Sequence, residues 1–295
     1  GDNTAIGKDS LSANTTGSRL TALGQNALYN NTTASDNTAV GNNAMLANTT
    51  GTENTAVGGN ALDANTTADA NTAIGYNSLT TNTTGAENTS VGQGSLRFNE
   101  TGSYNVAVGR NALEDNTASN NTAIGYKSLT ANTTGANNTA LGGYALASCT
   151  TGQLNVAVGK EALGSLSTGE KNIAIGYRAA EATTTAEDNV AVGQQALEEN
   201  STGDRNIAIG TRALDENTTA DGNTAVGHEA LKVNTTGHSN VAVGATCLDA
   251  NTVGQDLVAV GYNALGANTT ATNNVAVGTS ALGLNTTGSN NTGIG

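Results

Sequence analysis

The stretch Asn54-Thr55-Ala56-Val57-Gly58-Gly59-Asn60-Ala61-Leu62-Asp63-Ala64-Asn65-Thr66-Thr67-Ala68-Asp69-Ala70 runs directly into Asn71-Thr72-Ala73-Ile74-Gly75-Tyr76-Asn77-Ser78-Leu79-Thr80-Thr81-Asn82-Thr83-Thr84-Gly85-Ala86-Glu87. The two segments match position by position, and the match extends over the whole chain. A motif reading N-T-A-[IV]-G ends at 18 glycines from Gly7 to Gly295, and 16 of the 17 intervals between them are 17 residues long. The remaining interval, Gly109 to Gly125, is 16 residues long. Its missing residue falls in Asn116-Thr117-Ala118, where other repeats read Asn-Thr-Thr-Gly. A deletion there suggests a turn, because turns absorb changes in length that paired strands do not.

With the Asn of the motif as position 1, position 2 is Thr, Val or Ile in every repeat and position 4 is Val, Ile or Leu. Position 3 between them is Ala except at Ser90 and Gly293, position 8 is always small, and position 9 is Leu except at Met45 and Ala180. Alternation around β-branched residues reads as a strand over positions 1 to 5, and a second strand is expected over about positions 8 to 11. A unit of 17 residues is shorter than any helical-hairpin repeat, which needs about 33. The fold expected is all-β, a parallel β-solenoid of about 18 coils forming a single uninterrupted array over residues 1–295. Gly58 and Gly75 fit a corner that needs positive φ or close backbone approach. Asn65 and Asn82 supply turn chemistry at the opposite corner, and the Asn at position 1 is expected to form a ladder from coil to coil.

Successive side chains of a strand point to opposite faces. The large residues are read as the interior, with Val40, Val57 and Ile74 joined by Leu62, Leu79 and Leu113. The small residues then face outward. A charge-free stripe formed by Ala56, Ala61, Ala73, Ser78, Ala107 and Ala112 implies that another backbone approaches closely, most simply in a homotrimer of parallel solenoids; the alternative is that these small residues merely fit a tight coil.

Composition restricts function. Only 36% of residues are hydrophobic, eight are aromatic, and there is no Trp or Pro, which excludes a thick aromatic core. A net charge of −13 opposes any role that neutralises nucleic-acid phosphates. No apolar run approaches the length of a membrane span, so no membrane insertion is expected of this segment. Every charge lies in a variable slot of the repeat. His228 and His238 read as surface spacers, and Glu198, Glu199, Glu187 and Asp188 as solubilising carboxylates. The glycine-rich turns carry no phosphate-loop Lys-Ser/Thr and open no helix. No catalytic, cofactor-binding or metal-binding residue is therefore assigned, and the chain is not expected to be an enzyme. Cys149 and Cys247 lie six coils apart, about 29 Å at the spacing of paired strands, too far for a disulfide. Twelve N-x-[ST] sequons at position 12, from Asn14 to Asn285, are glycan acceptors in a eukaryotic secretory pathway and turn residues in a bacterial or phage protein. The tyrosines read as scattered surface aromatics.

The segment Asn71-Thr72-Ala73-Ile74-Gly75-Tyr76-Asn77-Ser78-Leu79 resembles the head repeats of trimeric autotransporter adhesins. The longer form from Asn121 to Gly135 is similar to arrays in phage and bacterial tail-fibre proteins. The resemblance implies a left-handed parallel β-roll, trimeric, at a cell or virion surface. It implies a non-enzymatic extracellular fibre segment, an adhesin head or tail-fibre shaft, that extends and presents a binding surface to a host-surface glycan or protein. The repeat starts at position 16 and stops at position 5, which suits a piece of a longer fibre protein. The alternative is an ice-binding solenoid that uses the threonine ranks of the Asn-Thr-Thr corners, for example Thr15 and Thr16 or Thr49 and Thr50.

Overall fold

The computed structural model describes all residues, 1–295. The chain is an all-β parallel solenoid with 18 strands and no helix. It divides into two compact units, residues 1–151 and 152–295. The first contains β1 (Thr4–Ile6) to β9 (Thr139–Leu141), and the second contains β10 (Val156–Val158) to β18 (Thr292–Ile294).

Each repeat contributes one strand of three residues, at positions 2 to 4. Within each unit every strand pairs in parallel with the next, residue for residue: Thr55↔Thr72, Ala56↔Ala73 and Val57↔Ile74 in the first unit, Ile207↔Thr224, Ala208↔Ala225 and Ile209↔Val226 in the second. The short repeat keeps this register, with Val106 opposite Thr122. Its deletion is absorbed at the Asn-Thr corner. There the Ala118 carbonyl accepts from both Asn105 Nδ2 at 2.9 Å and Asn116 Nδ2 at 2.7 Å, as a position-15 carbonyl does in other coils.

The expected second strand is absent. Residues 59–64 and their equivalents form a run of turns instead. Positions 7 and 9 are left-handed, as at Asn60 and Leu62, both with φ of 53°. This conformation costs an L-residue about 1–2 kcal/mol. It turns successive peptide groups along the stack: Asn60 N donates to Asn42 O at 2.9 Å in the preceding coil, and Leu62 N donates to Ser78 O at 3.0 Å in the following one. Those bonds, with complete burial of the Leu62 side chain worth about 1.5–3 kcal/mol, offset the strain.

The assignment of faces is the reverse of that expected. Ala56, Ala73 and Ala107 at position 3, and Ala61, Ala112 and Ser78 at position 8, are 0% exposed within the single chain. They fill the coil interior and do not form an outer stripe. Val57 and Ile74, expected in the core, are 36% and 39% exposed, and Val40 is only half-buried. The reason is width. The strand and the turn run opposite it lie close enough that only side chains the size of Ala, Ser or Cys stand between them, so the alternation places small side chains inward. Leu62, Leu79 and Leu113 are buried as expected, beside this narrow part of the coil. Gly58 and Gly75 have φ of +139° and +135°, and a Cβ on either would lie 2.5 or 2.6 Å from the next corner glycine's carbonyl oxygen. Both expected reasons for glycine hold at once.

The rest of the interior is polar. The Asn ladder at position 1 is present: Asn71 N donates to Asn54 Oδ1 at 2.9 Å, and Asn71 Nδ2 donates to Gly85 O at 2.9 Å. A second ladder occupies position 12, where Asn65 and Asn82 begin the Thr-Thr bend but are fully buried. Asn82 Nδ2 donates to Asn65 Oδ1 at 3.2 Å and to Gly85 O at 2.9 Å. One carbonyl per coil thus binds an amide from each ladder. Burying amides is tolerated because each finds partners in the coil above or below.

Candidate interaction surface

Because position 3 points inward, positions 2 and 4 of every coil point outward and form two parallel ranks on the sheet of each unit. No charged residue occurs in either rank. Strands spaced about 4.8 Å apart, with same-face residues about 6.7 Å apart along each strand, make a regular two-dimensional array. Threonine and valine have nearly the same shape, and both are stiff at χ1, so the array is preorganised.

The chemistry of the ranks differs between the units. In the first, position 2 is Thr in eight of nine strands, with Val106 the exception. In the second it is Val or Ile in seven of nine, with Thr224 and Thr292 the exceptions. The hydroxyls of the first unit's strand threonines, from Thr4 to Thr139, make no hydrogen bond within the chain. The corner threonines behave differently. At position 13, Thr32 Oγ1 donates to Thr49 O at 3.2 Å and Thr49 Oγ1 to Thr66 O at 3.0 Å. Those corner hydroxyls are engaged in holding coils together, while the neighbouring position-14 threonines such as Thr50 stay exposed.

A second contrast runs along positions 7 and 10. In the first unit a neutral ladder links Asn26, Asn43, Asn60 and Asn77 by side-chain bonds of 3.0–3.2 Å. In the second unit the same columns carry ions. Arg178 Nη1 lies 2.6 Å from Glu198 and Nη2 lies 3.2 Å from Glu181, and Lys232 lies 3.2 Å from Glu229. Asp215, 3.9 Å from Arg212, is pushed up to about 6 by burial and by the negative charge of Glu198. The hydrogen bond from Lys232 holds the Glu229 carboxyl below its ordinary range. Glu198 is only 4% exposed, so it is not the solubilising surface carboxylate expected; the column packs its carboxylates against the coil and pairs them to cations along the stack.

The remaining candidate groups are dispersed. His228 and His238 are exposed, and no group of three or more His, Cys, Asp or Glu side chains is placed to hold a metal ion. Cys149 and Cys247 are buried free thiols. Cys247 takes the interior position of an alanine, donates to Ala259 O at 3.0 Å, and is pushed up to about 12 by burial. The position-12 sequon asparagines from Asn31 to Asn268 are ladder residues with no exposed side chain to modify. Tyr126 and Tyr144 pack edge to face at 5.3 Å, while the other tyrosines stand apart. Sequence reasoning missed a buried hydroxyl cluster in which Ser90 lies 2.7 Å from Ser78 and 2.6 Å from Ser95. Its signal was present, since the only serine at position 3 coincides with serines at position 8 in its own coil and the one before. No helix is long and apolar enough to cross a membrane.

No protein-family profile matches the chain, and no curated protein matches it significantly in sequence.

Proposed function

We propose that the chain is a non-enzymatic segment of an extracellular fibre, an adhesin head or tail-fibre shaft at a cell or virion surface. It acts as a homotrimer and holds its variable slots toward a host-surface glycan or protein. The observation that carries this reading is the second unit's outward sheet face. There Ile173, Ile175, Ile207, Ile209, Val241 and Val243 stand exposed in two uncharged apolar ranks. Sixteen apolar side chains, with Thr224 and Thr292 in the two remaining places of the nine strands, at roughly 50 Å² each, present on the order of 800 Å², about one side of a standard protein–protein interface. A patch of that size exceeds what monomers ordinarily leave in water. The self-contact therefore belongs on positions 2 and 4, not on the buried Ala and Ser stripe. The uninterrupted repeat suits a spacer, because each coil rests only on its neighbours and length is set by repeat number.

Light scattering on the full chain tests this. Three chains of 29.1 kDa give about 87 kDa, and the double substitution Ile207→Lys with Ile209→Lys is expected to return the mass to that of one chain. A wild-type monomer at micromolar concentration would remove the trimer and, with it, the support for the fibre reading.

A further inference from the structure

We infer that the threonine-bearing sheet face of the first unit, β1 to β9, is an ice-binding plane. The inference does not rest on the fibre reading and concerns the other unit.

Four observations converge on it. The strand threonines, among them Thr21, Thr38, Thr55, Thr72 and Thr89, form one rank, and Val, Ile or Leu forms the rank beside it. Both ranks repeat without a register shift, including across the short coil. Their two spacings, about 4.8 Å between strands and about 6.7 Å along a strand, lie close to the oxygen repeats on the prism faces of hexagonal ice. The hydroxyls of the threonine rank have no partner in the chain, so their hydrogen bonds are left for water. The methyl groups beside them force that water into ordered cages, and stiff β-branched side chains hold the pattern without loss of rotamer freedom on binding. The absence of charge removes the strongly hydrated groups that would break the pattern.

A second copy of the chain fits this face less well than the second unit's. Docking apolar side chains against it would bury a rank of hydroxyls without partners, which is unfavourable. Ice, or water held in an ice-like layer, satisfies hydroxyl and methyl together. The site therefore lies on the sheet and not at the corners, where the position-13 hydroxyls are bonded to backbone carbonyls.

The test uses the full chain. Thermal hysteresis and uptake into a slowly growing ice front are measured for the wild type, for Thr55→Lys with Thr72→Lys on the sheet, and for Thr50→Lys with Thr67→Lys on the corner. Circular dichroism and solution mass are recorded for all three. The wild type is expected to show hysteresis and enter ice, the sheet variant to lose both, and the corner variant to keep both. Thr55→Val with Thr72→Val, which preserves shape and fold, is expected to show reduced hysteresis. A wild type without hysteresis overturns the inference, as does a sheet variant that retains it or a corner variant that loses it equally. A fall in solution mass confined to the sheet variant also overturns it, by assigning the face to contact between copies.

Discussion

The two units share one backbone and present different surfaces. Inside, both are built from Ala, Leu and paired Asn ladders, with small residues at positions 3 and 8 throughout. Outside, the first unit carries mostly Thr in rank 2 and a neutral Asn ladder at position 7 from Asn26 to Asn77, while the second carries mostly Val or Ile and an ion column from Arg178 to Lys232. The first unit has five Lys and Arg against ten Asp and Glu, and the second has six against fourteen. The difference shows which positions the architecture controls. A coil this narrow holds positions 3 and 8 to small side chains, whereas positions 2 and 4 exchange Thr, Val, Ile and Leu and positions 7 and 10 exchange neutral and charged residues. The solenoid separates the conditions for stacking from the chemistry of its surface.

The largest effect should be common to both units, because it tests the shared interior. Gly75→Val in the first unit and Gly210→Val in the second each place a side chain at positive φ against the next corner glycine's carbonyl. Each is expected to destabilise its unit by more than about 3 kcal/mol, read as a drop in urea midpoint. A large effect in one unit alone would break the claim of a common interior.

The next effect separates the sheet faces. Ile207→Lys with Ile209→Lys should dissociate the oligomer, while the matched pair Thr55→Lys with Val57→Lys should leave solution mass unchanged. Equal effects would mean that both faces do the same work.

A smaller effect concerns the second ladder, which is intact from Asn14 to Asn132 but in the second unit resumes only at Asn200, after Leu166 and Thr183. Thr183 Oγ1 is buried without a partner. Thr183→Asn would accept from Asn200 and donate to the Ala186 carbonyl. It is expected to stabilise the protein by about 1 kcal/mol, with Asn65→Thr in the first unit losing a similar amount. No change in the midpoint with Thr183→Asn would show that the ladder at position 12 is not a source of stability.

The smallest effect sharpens the contrast between the ion column and the Asn ladder. Because the Asp215 carboxyl titrates near 6 when folded and near 4 when unfolded, the folded state binds more protons between those values. Stability from this group is therefore lost as pH rises from about 4 to 6. Asp215→Asn should stabilise the protein by about 1 kcal/mol at pH 7, after allowing for solvent screening, and not at all below about pH 4. A pH-independent gain would sink this account. Asn60, in the neutral position-7 ladder of the first unit, is expected to show no pH dependence when changed to Ala.

Much of this was legible in the residues. The spacing of Gly58 and Gly75 gave the coil length, the deletion beside Asn116 located a turn, and the recurrence of Asn54 and Asn71 announced a ladder. The second strand was not legible: Ala61-Leu62-Asp63 has no local sign that Leu62 will be left-handed, since that conformation is held by hydrogen bonds to the coils on either side. The outward face was misread for a related reason. Val57 and Ile74 look like core residues because large apolar side chains are usually buried, and nothing within one repeat states how thick the coil is.

The sequence by itself determined the period, the parallel in-register stacking and the corner glycines, because a repeat carries its own neighbours as partners. An alternating strand has two faces, and the pattern alone does not say which is inside. Only the tertiary structure decided that, by closing each coil so tightly that Ala56 fits within and Val57 does not. That closure turned the β-branched ranks into the surface on which both proposals for this protein rest.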